Sequence, residues 1–252
     1  MSKTVFITGA TSGIGKACAF RFAMEGNHLI IAGRRRERLI TLKAELEDKH
    51  PIRVLPIVMD VTNRQDVDES VASLPEEFRN VDVLINNAGL ALGLEPVSRG
   101  LRDDWDRMID TNIKGLLYVT YAIVQGMIER GEGHIINIGS IAGREAYPNG
   151  SVYCASKAAV DSLSKSMRMD LLPYGIKVTQ IAPGAVETEF SLVRFHGDEQ
   201  RARDVYKGFK PLSPEDVAGV VHYAASLPSH VNINDLLLVP AAQASATQIL
   251  RK

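Results

Sequence analysis

The sequence predicts a doubly wound α/β fold: a parallel sheet of about seven strands with helices on both faces, in one domain spanning residues 1–252. Three observations lead there. Apolar runs of strand length alternate with longer amphipathic stretches. The short runs are apolar throughout, the pattern of strands buried on both faces. No Pro/Ser/Gly-rich linker, low-complexity tract or repeat divides the 252 residues, which favours one large core over two small ones.

The first strand, residues 4–8, runs into Thr8-Gly9-Ala10-Thr11-Ser12-Gly13-Ile14-Gly15 and a helix over 14–25. Glycines in such a turn let the backbone approach a pyrophosphate, whose charge the helix N-terminus stabilises. The spacing is G-xxx-G-x-G rather than G-x-G-x-x-G, so the flanking strand and helix carry the Rossmann-type reading. Gly9, Thr11, Ser12, Gly13, Ile14 and Gly15 are the candidate contacts, although such turns also occur for purely structural reasons.

The second strand, 28–32, ends at Gly33-Arg34-Arg35-Arg36, ahead of a helix over 37–49. A carboxylate there would accept the ribose 2′-hydroxyl of NAD, whereas arginine suits the 2′-phosphate of NADP. No acid is present, and guanidinium groups pair bidentately with phosphate. The expected cofactor is NADP(H), with Arg34 as first candidate and Arg35 as second; the alternative is a solvated basic helix start. After the third strand, 54–59, Asp60 and Val61 either face the adenine or, through Asp60, cap the turn before Thr62-Asn63 and the helix over 65–74. The fourth strand, 81–86, closes on Asn86-Asn87-Ala88-Gly89. Asn87, Ala88 and Gly89 are candidate cofactor contacts or simply turn residues.

A helix over 105–129 precedes the fifth strand, 134–138, which leads to Ser140; a helix over 152–172 carries Tyr153 and Lys157. An i, i+4 pair shares one helix face. A lysine ammonium about 4 Å from the phenol, at an effective dielectric of ~20, favours the phenolate by roughly 4 kcal/mol. At ~1.36 kcal/mol per unit this lowers the pKa of Tyr153 by up to about three, less the desolvation cost. That suits Tyr153 to acid/base work near neutrality, with Ser140 donating to the developing oxyanion. Cys154 points about 100° away around the helix and reads as a small buried residue. A sixth strand, 177–181, runs to Pro183-Gly184. The polar stretch 185–210 is a lid or a mobile excursion. A helix over 214–227 and a last strand, 236–239, complete the pattern.

Composition narrows the function. The net charge of −1 gives no reason to expect nucleic acid or an anionic membrane surface as partner. No stretch reaches 18 apolar residues, and MSKTVFITGA is no signal peptide, so no membrane association is expected and the expected location is cytoplasmic. Two cysteines and six isolated histidines offer neither a disulfide framework nor a metal site, and no metal is expected.

Together TGATSGIG (8–15), NNAG (86–89), Asn112 within TNIKG, Ser140, YCASK (153–157) and the PG…T of 183–188 resemble the short-chain dehydrogenase/reductase family over almost the whole chain. The resemblance implies an oxidoreductase in which Tyr153 exchanges a proton with the substrate oxygen and Lys157 holds the nicotinamide ribose hydroxyls and tunes Tyr153. It also implies that Ser140 fixes the carbonyl and Asn112 holds a proton-relaying water. Pro183 and Gly184 would shape the nicotinamide pocket, with Thr188 near the carboxamide. Segments 189–202, 212–218 and 227–235 are similar to a subgroup acting on 3-hydroxy acids, including serine-like ones, with NADP. Arg194 is then the candidate clamp for a substrate carboxylate, unless it pairs with Glu189 or Asp198. The family resemblance also implies a homotetramer, or a homodimer, through helices 111–129 and 152–172, with the segment 241–252 as a further contact. Alternatives are a 3-oxoacyl thioester, sugar or xenobiotic carbonyl substrate, or a non-catalytic NADP-sensing regulator; the presence of both Tyr153 and Lys157 weighs against the last.

Overall fold

A computed structural model describes residues 2–252. Seven strands are joined by helices in this order: β1 (Thr4–Thr8), α1 (Gly13–Met24), β2 (His28–Gly33), α2 (Arg36–Lys49), β3 (Val54–Val58), α3 (Arg64–Ala72), α4 (Glu76–Arg79) and β4 (Val83–Asn86). Then come α5 (Arg102–Ile109), a π-helical turn (Asp110–Gly115), α6 (Leu116–Arg130), β5 (Gly133–Ile138), α7 (Ser151–Leu171) and β6 (Ile176–Pro183). The chain finishes with α8 (Phe190–Arg194), α9 (Glu199–Asp204), α10 (Pro214–Ser226) and β7 (Asp235–Leu238). All strand pairs are parallel, in the order β3-β2-β1-β4-β5-β6-β7. The order reverses direction between β1 and β4, and the strand C-termini there open the crevice where such sheets bind ligands.

Burial on both faces explains the apolar strands. On β1 and β2, Val5, Ile7, Leu29 and Ile31 pack against α1, α2 and α10, through Phe22, Leu42 and Val221 among others. The alternate residues Phe6 and Ile30 join the opposite layer with Val67, Val119 and Ile123. Period-two alternation thus splits β1 and the middle of β2 between two cores of similar make-up, whereas the edge strands β3 and β7 keep exposed positions such as Val58 and Leu237.

Two elements depart from expectation. The helix expected over 105–129 starts at Arg102 and is interrupted by the π-helical turn Asp110–Gly115. A π turn inserts a residue into the i→i−4 ladder without breaking the helix. It brings Gly115 against Val61, where a Cβ would stand 2.8 Å from Val61 Cγ2, and it turns Asn112 inward to 2 % exposure. The stretch 185–210 is not irregular throughout: α8 and α9 lie within it, the latter capped by Asp198 Oδ1 accepting from the Arg201 N–H at 3.0 Å. Among the described residues no helix is long and apolar enough to cross a membrane.

Candidate active site

A cleft of about 790 Å³ lies along the C-terminal ends of the strands, lined from Gly9 and Arg35 at one end to Ser140, Tyr153 and Arg194 at the other. Its floor is the β1–α1 turn. Gly15 has no room for a side chain, because a Cβ would collide with the carbonyl oxygen of Gly9; Gly13 has φ +51° and lies against the Thr188 methyl. Ser12, at the N-cap of α1, makes no side-chain cap, so the first amides of the helix have no side-chain acceptor. That is an anion cradle. Thr8 Oγ1 accepts from the N–H groups of Asn87 and Ala88 at 3.0 and 2.9 Å, and Asn87 Nδ2 donates to the carbonyls of Thr8 and Gly9 at 2.9 and 3.2 Å. Asn87 therefore ties the first and fourth strand ends together, the structural alternative left open by the sequence.

Of the arginines, Arg35 rather than Arg34 lies on the turn. Its guanidinium donates to Thr11 Oγ1 at 2.7 and 3.0 Å and to Ser12 Oγ at 2.9 Å. Arg34 is more exposed and sits 3.9 Å from Asp60 Oδ2. Asp60 Oδ1 accepts from the Thr62 N–H and hydroxyl at 3.0 and 2.9 Å, so Asp60 serves its turn; it and Val61 also line the cleft.

At the other end the candidate catalytic residues converge. Asn112 Oδ1 accepts from the Leu90 N–H at 2.8 Å; its Nδ2 donates to the Leu90 carbonyl at 2.8 Å and to Ser156 Oγ at 3.0 Å. A Cβ on Gly89 would meet Asn112 Oδ1 at 3.3 Å and Lys157 Nζ at 3.4 Å, so Asn112 and Lys157 flank one backbone position. Ser140, in extended backbone after β5, accepts from the Ala142 N–H at 3.1 Å and lines the cleft beside Tyr153. Pro183 and Gly184 end β6 beside the cleft, and Gln243 Oε1 accepts from the Ala185 N–H at 2.9 Å. Thr188 Oγ1 accepts from the Phe190 N–H at 3.1 Å.

The electrostatics correct one expectation. Lys157 donates to the Ile138 carbonyl at 2.9 Å, because a buried ammonium must find an acceptor, and it is not what lowers the pKa of Tyr153. Burial pushes the phenol up and nearby Tyr147 adds to this; the neighbouring Ser140 hydroxyl and the Arg194 charge pull the other way without prevailing. Tyr153 is thus held protonated at neutral pH. Burial pulls Lys157 down from 10.5 to about 8. Its buried ammonium costs stability in full below that value. As pH rises above about 8 the folded state sheds the proton that the unfolded chain keeps, so the cost is relieved and stability rises. Between pH 8 and about pH 10 the protein is expected to gain up to about 2 kcal/mol relative to Lys157→Met. Urea midpoints of both proteins across that range measure it, and parallel curves would contradict it.

Arg194 pairs with neither acid considered for it. Glu189 pairs with Arg35 and Arg38, and Asp198 caps α9. Arg194 Nε donates to the Gly93 carbonyl at 3.1 Å, and its Cζ lies 5.5 and 5.7 Å from the ring centroids of Tyr147 and Tyr153. One terminal nitrogen is buried with no hydrogen-bond partner among the described residues. Tyr147 and Phe190 (ring centroid 5.7 Å from that of Tyr153) escaped sequence reasoning. The one available signal was that Tyr147 falls in the loop between Ser140 and Tyr153.

The family model for short chain dehydrogenase matches residues 3–197. The chain belongs to the short-chain dehydrogenase family. Within it, the chain is 49% identical over 243 residues to an NADP-dependent 3-hydroxy acid dehydrogenase of Salmonella typhi, covering 96% of each. It is also 49% identical over 245 residues to a sulfoacetaldehyde reductase of Chromohalobacter salexigens, covering 97% of this chain and 96% of that one. The closed form of serine dehydrogenase complexed with NADP+ superposes with a TM-score of 0.92 at 47% identity, covering 99% of both chains. As a short-chain dehydrogenase, the protein has its nucleotide turn and its tyrosine helix on a single cleft.

Proposed function

We propose that this short-chain dehydrogenase transfers a hydride between NADP(H) and a small alcohol/carbonyl pair bearing an anionic group, a 3-hydroxy acid or the matching semialdehyde. Arg194 carries the substrate assignment: a cation above the ring of Tyr153 with a buried nitrogen that no protein group satisfies. Leaving such a donor unpaired is costly, and a carboxylate or sulfonate next to the reacting carbon would satisfy it. The relatives act on substrates of that kind, as their names state: 3-hydroxy acids and sulfoacetaldehyde.

The NADP assignment is supported by the relatives' cofactor, by the absence of a carboxylate at residues 34–36, and by Arg35 standing over the turn. The pyrophosphate would lie on the Gly9–Gly15 turn and the α1 N-terminus, the 2′-phosphate on Arg34 and Arg35, and the nicotinamide beside Pro183, Gly184 and Thr188. When bound, the cofactor donates or accepts the hydride. In reduction Tyr153 gives its phenolic proton to the substrate oxygen, and in oxidation it takes that proton back. Ser140 donates to the same oxygen. Lys157 and Asn112, on either side of Gly89, pass protons toward solvent and hold the ribose.

A cytoplasmic enzyme assembled as a homotetramer or homodimer fits the two buried free cysteines and the exposed apolar side chains Leu117 and Tyr121 on α6 and Met169 on α7.

Arg35→Ala is expected to weaken NADPH about ten- to a hundredfold while NADH changes less than about threefold, the loss of a charge-assisted phosphate contact; Arg34→Ala should act in the same direction but less. Fluorescence titration with both cofactors decides, and equal losses would remove the 2′-phosphate contact. The substrate reading is tested by NADPH oxidation with small aldehydes carrying a carboxylate or sulfonate, against neutral aldehydes of equal length. A rate advantage for the anionic set is expected; parity would discard the anion reading.

A further inference from the structure

One charged lid residue has no part in the proposed chemistry. Glu189 lies between Thr188, which packs on Gly13 of the nucleotide turn, and Phe190, which packs on Tyr153. Its carboxylate reaches across the cleft: Oε2 accepts from Arg35 at 3.0 Å, and both oxygens accept from Arg38, at 2.8 and 2.9 Å. Partial burial raises its pKa, but the hydrogen bonds and charges of Arg35 and Arg38 more than offset this and leave it below the ordinary carboxylate value. Two guanidinium groups converging on one carboxylate form an arrangement equally suited to a phosphate.

Resting on the assignment of this arginine cluster to the 2′-phosphate, we propose that Glu189 is an internal competitor for that phosphate. The incoming phosphate displaces the carboxylate from Arg35 and Arg38, and Arg38 thereby becomes a further phosphate ligand. Displacement also frees the short segment that carries Phe190 over Tyr153, linking occupancy of the adenosine end to the position of the lid. The effect is specific to one cofactor. A 2′-phosphate needs the guanidinium groups and is repelled by a neighbouring carboxylate, whereas the 2′-hydroxyl of NAD has neither property. Glu189 therefore lowers the affinity for NADP+ and moderates the discrimination that the arginines create.

The test is calorimetric titration of wild type and Glu189→Gln with NADP+, NAD+ and adenosine 2′,5′-bisphosphate. The partners are partly exposed, with side chains 41–49% accessible, so solvent screening keeps the gain modest. NADP+ and the bisphosphate are expected to bind the variant about three- to tenfold more tightly, with NAD+ unchanged within about twofold. Unchanged or weaker NADP+ binding overturns the proposal, as does equal tightening of NAD+. The two levels of failure are distinguishable. A wild type that prefers NADP+, with a ratio untouched by the substitution, removes Glu189 alone. A wild type with no preference for NADP+ removes the 2′-phosphate assignment and the proposal with it.

Discussion

Tyr153→Phe is expected to lower kcat in both directions by about 10²–10⁴-fold, the span usual for a positioned acid/base, while NADP+ affinity stays within about twofold. The substitution deletes only the phenolic hydroxyl and keeps the ring that packs against Phe190 and beneath Arg194, so fold and lid should persist. The pH profile adds a sign. Because burial raises the pKa of Tyr153, the phenol is protonated at neutral pH and ready for reduction. Oxidation, which needs the phenolate, should speed up with rising pH through the alkaline range. Steady-state rates, with thermal unfolding as a control, check both points. Activity retained within tenfold would remove Tyr153 from the proton transfer.

The second large effect is at Arg194. Arg194→Ala should reduce kcat/KM for carboxylate-bearing substrates by about 10²–10³-fold, in keeping with the several kcal/mol at stake when one member of a buried charged pair is truncated. Neutral alcohols of the same size should lose no more than about fivefold. Some general loss is expected, because Arg194 also ties α8 to the Gly93 carbonyl, and the ratio between substrate classes is therefore the informative quantity. Arg194→Met, which keeps apolar bulk over Tyr147 and Tyr153, should show the same selectivity. Arg194→Lys should recover only part, since an ammonium cannot reproduce the planar fork. Equal losses on both substrate classes would leave Arg194 as a lid contact and nothing more.

The sheet was legible because burial on both faces makes the middle of β1, β2 and β4 continuously apolar, with polar Thr4, Thr8, His28 and Asn86 only at the strand ends. The strand ends were legible too, since Gly9–Gly15 and Asn86–Gly89 are residue types that only turns of this kind require together. The π-helical turn at Asp110–Gly115 was hidden: its extra residue alters hydrogen bonding while Met108, Leu116 and Val119 on either side stay buried and apolar. The pairing of Tyr153 with Lys157 shows the limit of helical spacing. Two side chains on one face still choose partners in three dimensions, and Lys157 took the Ile138 carbonyl while Arg194, about 40 residues on in the chain, brought its charge to Tyr153. The choice between Arg34 and Arg35 likewise turned on where one helix begins. The Glu189 latch joins residues more than 150 positions apart, and no local pattern announces it.

The most direct test of the account is the initial rate of NADPH formation by the purified protein with NADP+ and a series of 3-hydroxy acids including serine and allo-threonine, run beside neutral alcohols and an NAD+ arm. The account predicts turnover of the acids, much slower turnover of the neutral alcohols, and a marked preference for NADP+. Turnover of neutral alcohols alone would contradict the anion-binding role of Arg194, and a preference for NAD+ would contradict the role assigned to Arg34 and Arg35.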